Sequence, residues 1–242
     1  MKPIAVVLIL AFAAAVCLFT APVPFASERS ETGQSRFFRH VLVIDPGHGG
    51  EDGGAVAPDG TLEKDLNLAY AARIALLCRW FGVPFVETRN TDAALSDPSL
   101  KTVRARKTDD LMKRYRLVNE TENALLLSVH QNLYPAGKAS GTQIFYAGGV
   151  PASEEAAEAI RAAVVSMLQP ENSRACKASG SSIYLLYKAR RPSVLVECGF
   201  LSDPQELNKL KTADYQAALS YAVFRGVFDH IKHQTEERGP AG

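Results

Sequence analysis

The sequence predicts an α/β fold: a single domain built on a mostly parallel, twisted sheet with helices on both faces. Three observations predict it. Short runs rich in Val, Ile and Leu alternate with stretches of helical periodicity, the pattern of strand–helix–strand units. Those runs are apolar at nearly every position, as strands covered on both faces are. Once the apolar start and the polar end are set aside, about 200 of the 242 residues remain, the size of one compact domain.

The elements follow in order. Residues 40–44 read as a strand, β-branched and stopped by Asp45-Pro46-Gly47, a turn-forming sequence. Leu66, Ala69, Tyr70, Ile74 and Leu77 recur at helical spacing, and Gly82 ends that helix. Residues 83–88 are a second strand, 90–107 a polar irregular stretch, and 109–119 a helix. Residues 124–129 form an apolar strand ending at His130, and 141–146 another strand. Then come an alanine-rich helix over 153–169, a short strand over 182–187, an apolar strand over 193–197 closed by an acid, and a last helix over 213–233. No internal repeat is present.

Lys2 precedes sixteen residues, 4–19, without a polar side chain. A basic start and an apolar run are the pattern of a secretory signal. Extended to residue 23, the run is also long enough for an uncleaved anchor. Export follows from either reading, and cleavage or anchoring stays open. The expected organisation is a signal peptide or membrane anchor plus linker over residues 1–35, a folded domain over 36–233 and a polar tail over 234–242. Lysine plus arginine (27) against aspartate plus glutamate (26) gives +1, which argues against a nucleic-acid binder. Beyond Cys17 the cysteines are Cys78, Cys176 and Cys198. That odd number allows at most one bridge, and Cys78 and Cys198 read as small buried hydrophobes.

Three apolar runs end in side chains suited to metal or acid–base chemistry. Residues 41–44 lead to His48, 125–129 to His130 and 194–196 to Glu197. In open α/β sheets, ligands bind in the crevice beyond the carboxyl ends of the strands. Glu63 follows His48 by fifteen residues, at the start of a helix. Two imidazoles and a carboxylate suit a catalytic zinc site that leaves one position to water, and a further carboxylate takes that water's proton. Whether Glu63 or Glu197 is the ligand stays open on this reading. Strand alternation puts Glu197 with Leu195 and turns Cys198 to the other face, which sets Cys198 aside as a ligand.

Each residue also has a plain structural reading. A strand-end histidine is usually just hydrogen-bonded, and an acid in a first helical turn is favoured by the dipole. Glu197 is harder to dismiss, because an acid closing an apolar run loses hydration unless it is paired. Asp45 reads either as a hydrogen-bond partner of a ligating histidine or as a turn former. The loop holding Gly47, Gly49, Gly50, Gly53 and Gly54 lacks both the Gly-Lys-Ser/Thr ending of a phosphate loop and the GxGxxG spacing.

VLVIDPGHGGEDGGAV, LEKDLNLA, LLLSVHQN and VLVECGFLSDPQE occur in that order. Together they resemble the motifs of the zinc-dependent N-acetylmuramoyl-L-alanine amidases of the amidase-3 family, and the likeness runs from Val41 to His230. The resemblance implies a metal held by His48, Glu63 and His130, and a catalytic Glu197. It implies cleavage of the amide between the lactyl group of N-acetylmuramic acid and the first L-alanine of the peptide stem in peptidoglycan. Residues 36–233 would then be the amidase catalytic domain.

Residues 87–121, the single-domain length and the lack of a wall-binding repeat further resemble the spore-cortex amidases of endospore formers. That implies processing of cortex towards muramic δ-lactam, the mark recognised in germination. The place would be the wall or intermembrane space of the forespore, or the outer face of the membrane. Arg174 falls where the family often has an arginine near the substrate groove. Arg114 and Asn119 match a recurrent arginine and asparagine ahead of the LLLSVH strand, with helix surface and helix end as their plain readings. Asp203 and Cys198 depart from the commoner residues of the last motif, and neither is an expected ligand.

The expected cofactor is Zn²⁺ and the expected substrate is peptidoglycan, glycan strands with their peptide stems. An activating protein partner is a further expectation, and membrane contact is expected only through residues 4–23. One alternative is a zinc peptidase acting within the stem. Another is a metal-dependent binding or scaffold protein, which the presence of all four residues disfavours.

Overall fold

The structure is a computed structural model that describes Phe38 and residues 40–134 and 139–238. The predicted signal or anchor lies outside the described residues, as does the tail beyond residue 238. Among the described residues, six strands form one sheet: β1 (Val41–Pro46), β2 (Phe85–Glu87), β3 (Ala124–Asn132), β4 (Gln143–Tyr146), β5 (Lys177–Ala178) and β6 (Ser193–Phe200). Their order is β2-β1-β3-β6-β4-β5, and every pairing is parallel except β4 against β6. The helices are α1 (Glu63–Phe81), α2 (Val103–Glu120), α3 (Pro151–Met167), α4 (Tyr184–Tyr187), α5 (Pro204–Leu210) and α6 (Ala213–Arg238).

Helices cover both faces, as predicted. Leu42, Ile44, Leu125, Leu127, Val194 and Val196 join residues of α1, α3 and α6 in the larger core. The alternate positions Val43, Leu126 and Leu195 join Val118 of α2 and Leu185 and Leu186 of α4 in a second core. Successive strand residues point to opposite faces, and both faces are buried here. That is why the runs show no polar alternation.

Four local differences separate the structure from the sequence reading. α2 begins at Val103 instead of residue 109, because Thr102 caps it by accepting from the Ala105 amide. Its first turns carry Arg104, Arg106 and Lys107, so no apolar stripe announces them. Residues 182–187 are no strand: Tyr184–Tyr187 make one helical turn that buries Leu185 and Leu186. The edge of the sheet is instead β5, two exposed residues that an apolar-run reading passes over. α5 was not foreseen either. Asp203 caps it by accepting from the Gln205 and Glu206 amides, with Pro204 in the first turn.

Gly82 does end α1, at φ 67°, the left-handed conformation that glycine adopts without strain. Cys78 and Cys198 are buried, and neither they nor Cys176 forms a bridge. Among the described residues no helix is long and apolar enough to cross a membrane.

Candidate metal centre

β1, β3 and β6 deliver the predicted residues to one end of the sheet. His48 sits on the loop after β1, Glu63 opens α1, His130 lies near the end of β3, and Glu197 pairs with His130 across the β3–β6 ladder. The ladder shifts register just beyond that pair, between His130 and Asn132, an irregularity common beside functional sites. One ligand atom from each of His48, Glu63 and His130 lies within 4.8 Å of the others. Glu63 spans both histidines, with Oε2 3.2 Å from His48 Nε2 and Oε1 2.8 Å from His130 Nδ1.

The carboxylate is fixed by its surroundings. Glu63 Oε2 accepts from the Ala55 amide at 2.8 Å, and Oε1 accepts from the Gln131 amide at 3.2 Å. Asn67, one turn further along α1 and fully buried, donates to both Glu63 Oε1 and the Gly47 carbonyl. Its own oxygen accepts from Gln131 Nε2. One carboxamide thus ties Glu63 to the residue before His48 and the residue after His130.

The loop of His48 is held as firmly. His48 itself has φ 63°, a region costly for a residue with a side chain unless the surroundings impose it. Arg89 donates to the carbonyls of Pro46 and Gly47, and Arg114 to those of Pro46 and His48. Two guanidiniums therefore take three consecutive carbonyls and impose the turn. The glycines leave room for it. A Cβ on Gly47 would overlap the His130 ring, and one on Gly54 would lie 2.6 Å from both Glu63 Oε2 and His48 Cδ2.

Two sequence readings need correction here. Asp45 touches no histidine ring: it is 1% exposed, accepts from Arg114, Thr88 and Ser128, and so holds the loop through Arg114. Arg114 is not helix surface but 3% exposed, bridging Asp45 and Asp110. The residue that does meet a histidine is Asp52, whose Oδ2 lies 2.9 Å from His48 Nδ1 and whose Oδ1 lies 2.8 Å from Lys107 Nζ. It was missed, although an acid four residues after the histidine in a tight loop is the signal that marks it. Asn119 follows its plain reading at a helix end, donating to the Tyr115 carbonyl and accepting from the Arg190 amide. Arg174 is not in the cluster. Its guanidinium stacks 4.8 Å from the ring centroid of Phe200, and its Nε donates to the Ser140 carbonyl.

Electrostatics separates the two carboxylates. Burial would raise the Glu63 carboxyl, but His130 and His48 hold it far below the usual range. Burial likewise opposes charge on His48, yet Asp52 and Glu63 outweigh it and lift the imidazole to about 9. At Glu197 burial wins: with Glu63 adding to it and the histidines opposing, the carboxyl is pushed up to about 7. Its Oε2 is buried without a hydrogen-bond partner among the described residues. The site thus joins an N,N,O donor set, its carboxylate ionised, to an acid poised near neutrality. The first suits a catalytic zinc site and the second suits proton transfer.

The profile described as N-acetylmuramoyl-L-alanine amidase, of the amidase-3 type, matches residues 42–229. Over 200 residues the chain is 34% identical to the germination-specific N-acetylmuramoyl-L-alanine amidase of Bacillus subtilis strain 168, covering 83% of this chain and 82% of that protein. Among solved structures it is similar to the CwlD amidase of Clostridioides difficile in complex with the GerS lipoprotein. That match has 31% identity and a TM-score of 0.77, over 80% of this chain and 99% of that one. The N-acetylmuramoyl-L-alanine amidase LytC of Bacillus subtilis is 28% identical, over 79% of this chain and 36% of that protein.

Proposed function

The chain belongs to the N-acetylmuramoyl-L-alanine amidase family, and from that membership we propose that His48, Glu63 and His130 hold a zinc ion while Glu197 is the catalytic base. The observation that carries the reading is the buried, unpartnered Glu197 oxygen next to three metal-type donors. A zinc ion there would supply a Lewis acid and bring the pKa of a bound water towards ~7. Glu197 takes the proton of the attacking water and returns it to the L-alanine nitrogen as the amide breaks. Asp52 keeps the proton of His48 on Nδ1, which leaves Nε2 facing Glu63. Asp52→Asn is expected to weaken zinc binding about 10–100-fold, read by competition with a chromophoric chelator.

The physiological substrate in this reading is spore-cortex peptidoglycan, processed towards muramic δ-lactam. The 34% identity to a germination-specific amidase supports it. Residues 1–35 are the export signal or anchor that brings residues 36–233 to the forespore wall or intermembrane space. Arg174, beside Phe200 on the strand of Glu197, contacts the glycan or its stem. An activating partner fits as well, since the similar CwlD structure contains the GerS lipoprotein.

The test is to digest cortex peptidoglycan with the full chain and locate the new ends by mass spectrometry. Free muramic carboxyls with intact released stems are expected, whereas new ends inside the stem would shift the reading to a zinc peptidase. The same preparation should carry about one zinc per chain, and the His130→Ala variant none.

A further inference from the structure

α1 leaves three large apolar side chains in water at its carboxyl end. Leu76 is 51% exposed, Trp80 75% and Phe81 48%. Leu76 and Trp80 share a helix face one turn apart, and Trp80 is the sole tryptophan of the chain. Phe81 packs on Phe224 and Phe228 of α6, and Phe38 packs on the same Phe228 ring at 5.6 Å. The polypeptide therefore enters the fold beside this patch. Upstream in the sequence lies the apolar run of residues 4–19, separated from Phe38 by eighteen residues, 20–37.

Topology sets the patch against the metal cluster. α1 starts at Glu63, inside the cluster, and runs back to Phe81, from which the chain turns into β2. The cluster thus lies at the carboxyl ends of β1, β3 and β6, and the patch lies at the opposite end of the sheet. The helix that carries both is nineteen residues long, about 28 Å end to end.

We infer that the Leu76–Trp80–Phe81 patch rests on a lipid surface, tethered by residues 4–19, so that the metal cluster opens away from the membrane towards the wall. Tryptophan suits that boundary, with an apolar ring and one polar N–H. Arg79, half exposed, lies 3.8 Å from Glu87 and over the Phe85 ring, and in this placement its guanidinium also faces lipid phosphates. A second copy of the chain is a poorer occupant, because a stable protein interface takes about 20–30 residues from each side and this patch has three.

Trp80 is its own probe. In the full chain, its emission is expected to shift to shorter wavelength on adding vesicles of phosphatidylcholine and phosphatidylglycerol. Lipids brominated in the acyl chain should quench it. Leu76→Glu should lose both effects while still co-sedimenting with vesicles and still cleaving soluble peptidoglycan fragments. Unchanged wild-type emission with vesicles present would overturn the inference. So would an undiminished shift in Leu76→Glu, or a shift that needs no lipid and grows with protein concentration.

Discussion

Glu197→Gln is expected to lower kcat on peptidoglycan by about 10²–10⁴-fold, the range a positioned general base contributes, while zinc content stays that of the parent. The amide keeps the shape of the carboxyl and cannot accept the water proton. The base must be ionised, so kcat/KM of the parent should rise with pH along an acid limb. The carboxyl is pushed to about 7 by burial, and a bound cation lowers it, so the limb should lie below 7 and be absent from the variant.

Stability gives an independent readout. A carboxyl raised from 4.5 to about 7 favours the folded state in its neutral form. That contribution is complete below pH 4.5 and is lost as pH rises through about 7. Chelator-treated Glu197→Gln should therefore match the parent at pH 4 and exceed it at pH 8 by on the order of 2 kcal/mol, allowing for partial exposure. Unchanged turnover would remove Glu197 from the mechanism, and equal urea midpoints at pH 8 would deny the buried charge.

Arg114→Ala should destabilise the fold by about 3–5 kcal/mol, the cost of stranding a buried carboxylate. Asp45 would keep Thr88 and Ser128 but lose its only guanidinium contact among the described residues. The carbonyl of His48 would lose its donor at the same stroke. The pH dependence has a definite sign. Arg114 and the hydroxyls outweigh burial and hold Asp45 below 3.8 in the parent, so its contribution is present above that pH and lost below it. Without the cation, burial raises the carboxyl instead, and the variant recovers as Asp45 takes up a proton. The gap between parent and variant should therefore narrow from pH 7 towards pH 4. A gap that is small at pH 7, or that does not change with pH, would show that the pair holds nothing together. Arg114→Met, which keeps most of the packing volume, separates lost charge from lost contact.

The contrast between Glu197 and Arg114 marks how far sequence reading reaches. His48, His130 and Glu197 were legible because each follows an apolar run whose end is locally marked, and strand ends converge in this architecture. Glu63 was legible as a residue, but only the family resemblance chose it over Glu197 as the expected ligand; the structure places its carboxylate between the two histidines. Arg114 was not legible as a buried residue. Asp109, Asp110 and Lys113 around it look like a solvated helix face, and its burial depends on Asp45, 69 residues earlier. β5 and α4 failed for a related reason: two exposed residues and one helical turn carry too little periodicity to be told apart.

The strand order has one more consequence. β4 and β5 precede β6 in the chain, yet they reach the rest of the sheet only through it. A newly made chain that has not yet placed residues 193–200 holds two unjoined pieces, and non-local pairing of this kind forms slowly. Seating residues 193–200 also brings Glu197 alongside His130. Until that strand is seated, the proposed catalytic acid stands apart from the three metal-type donors.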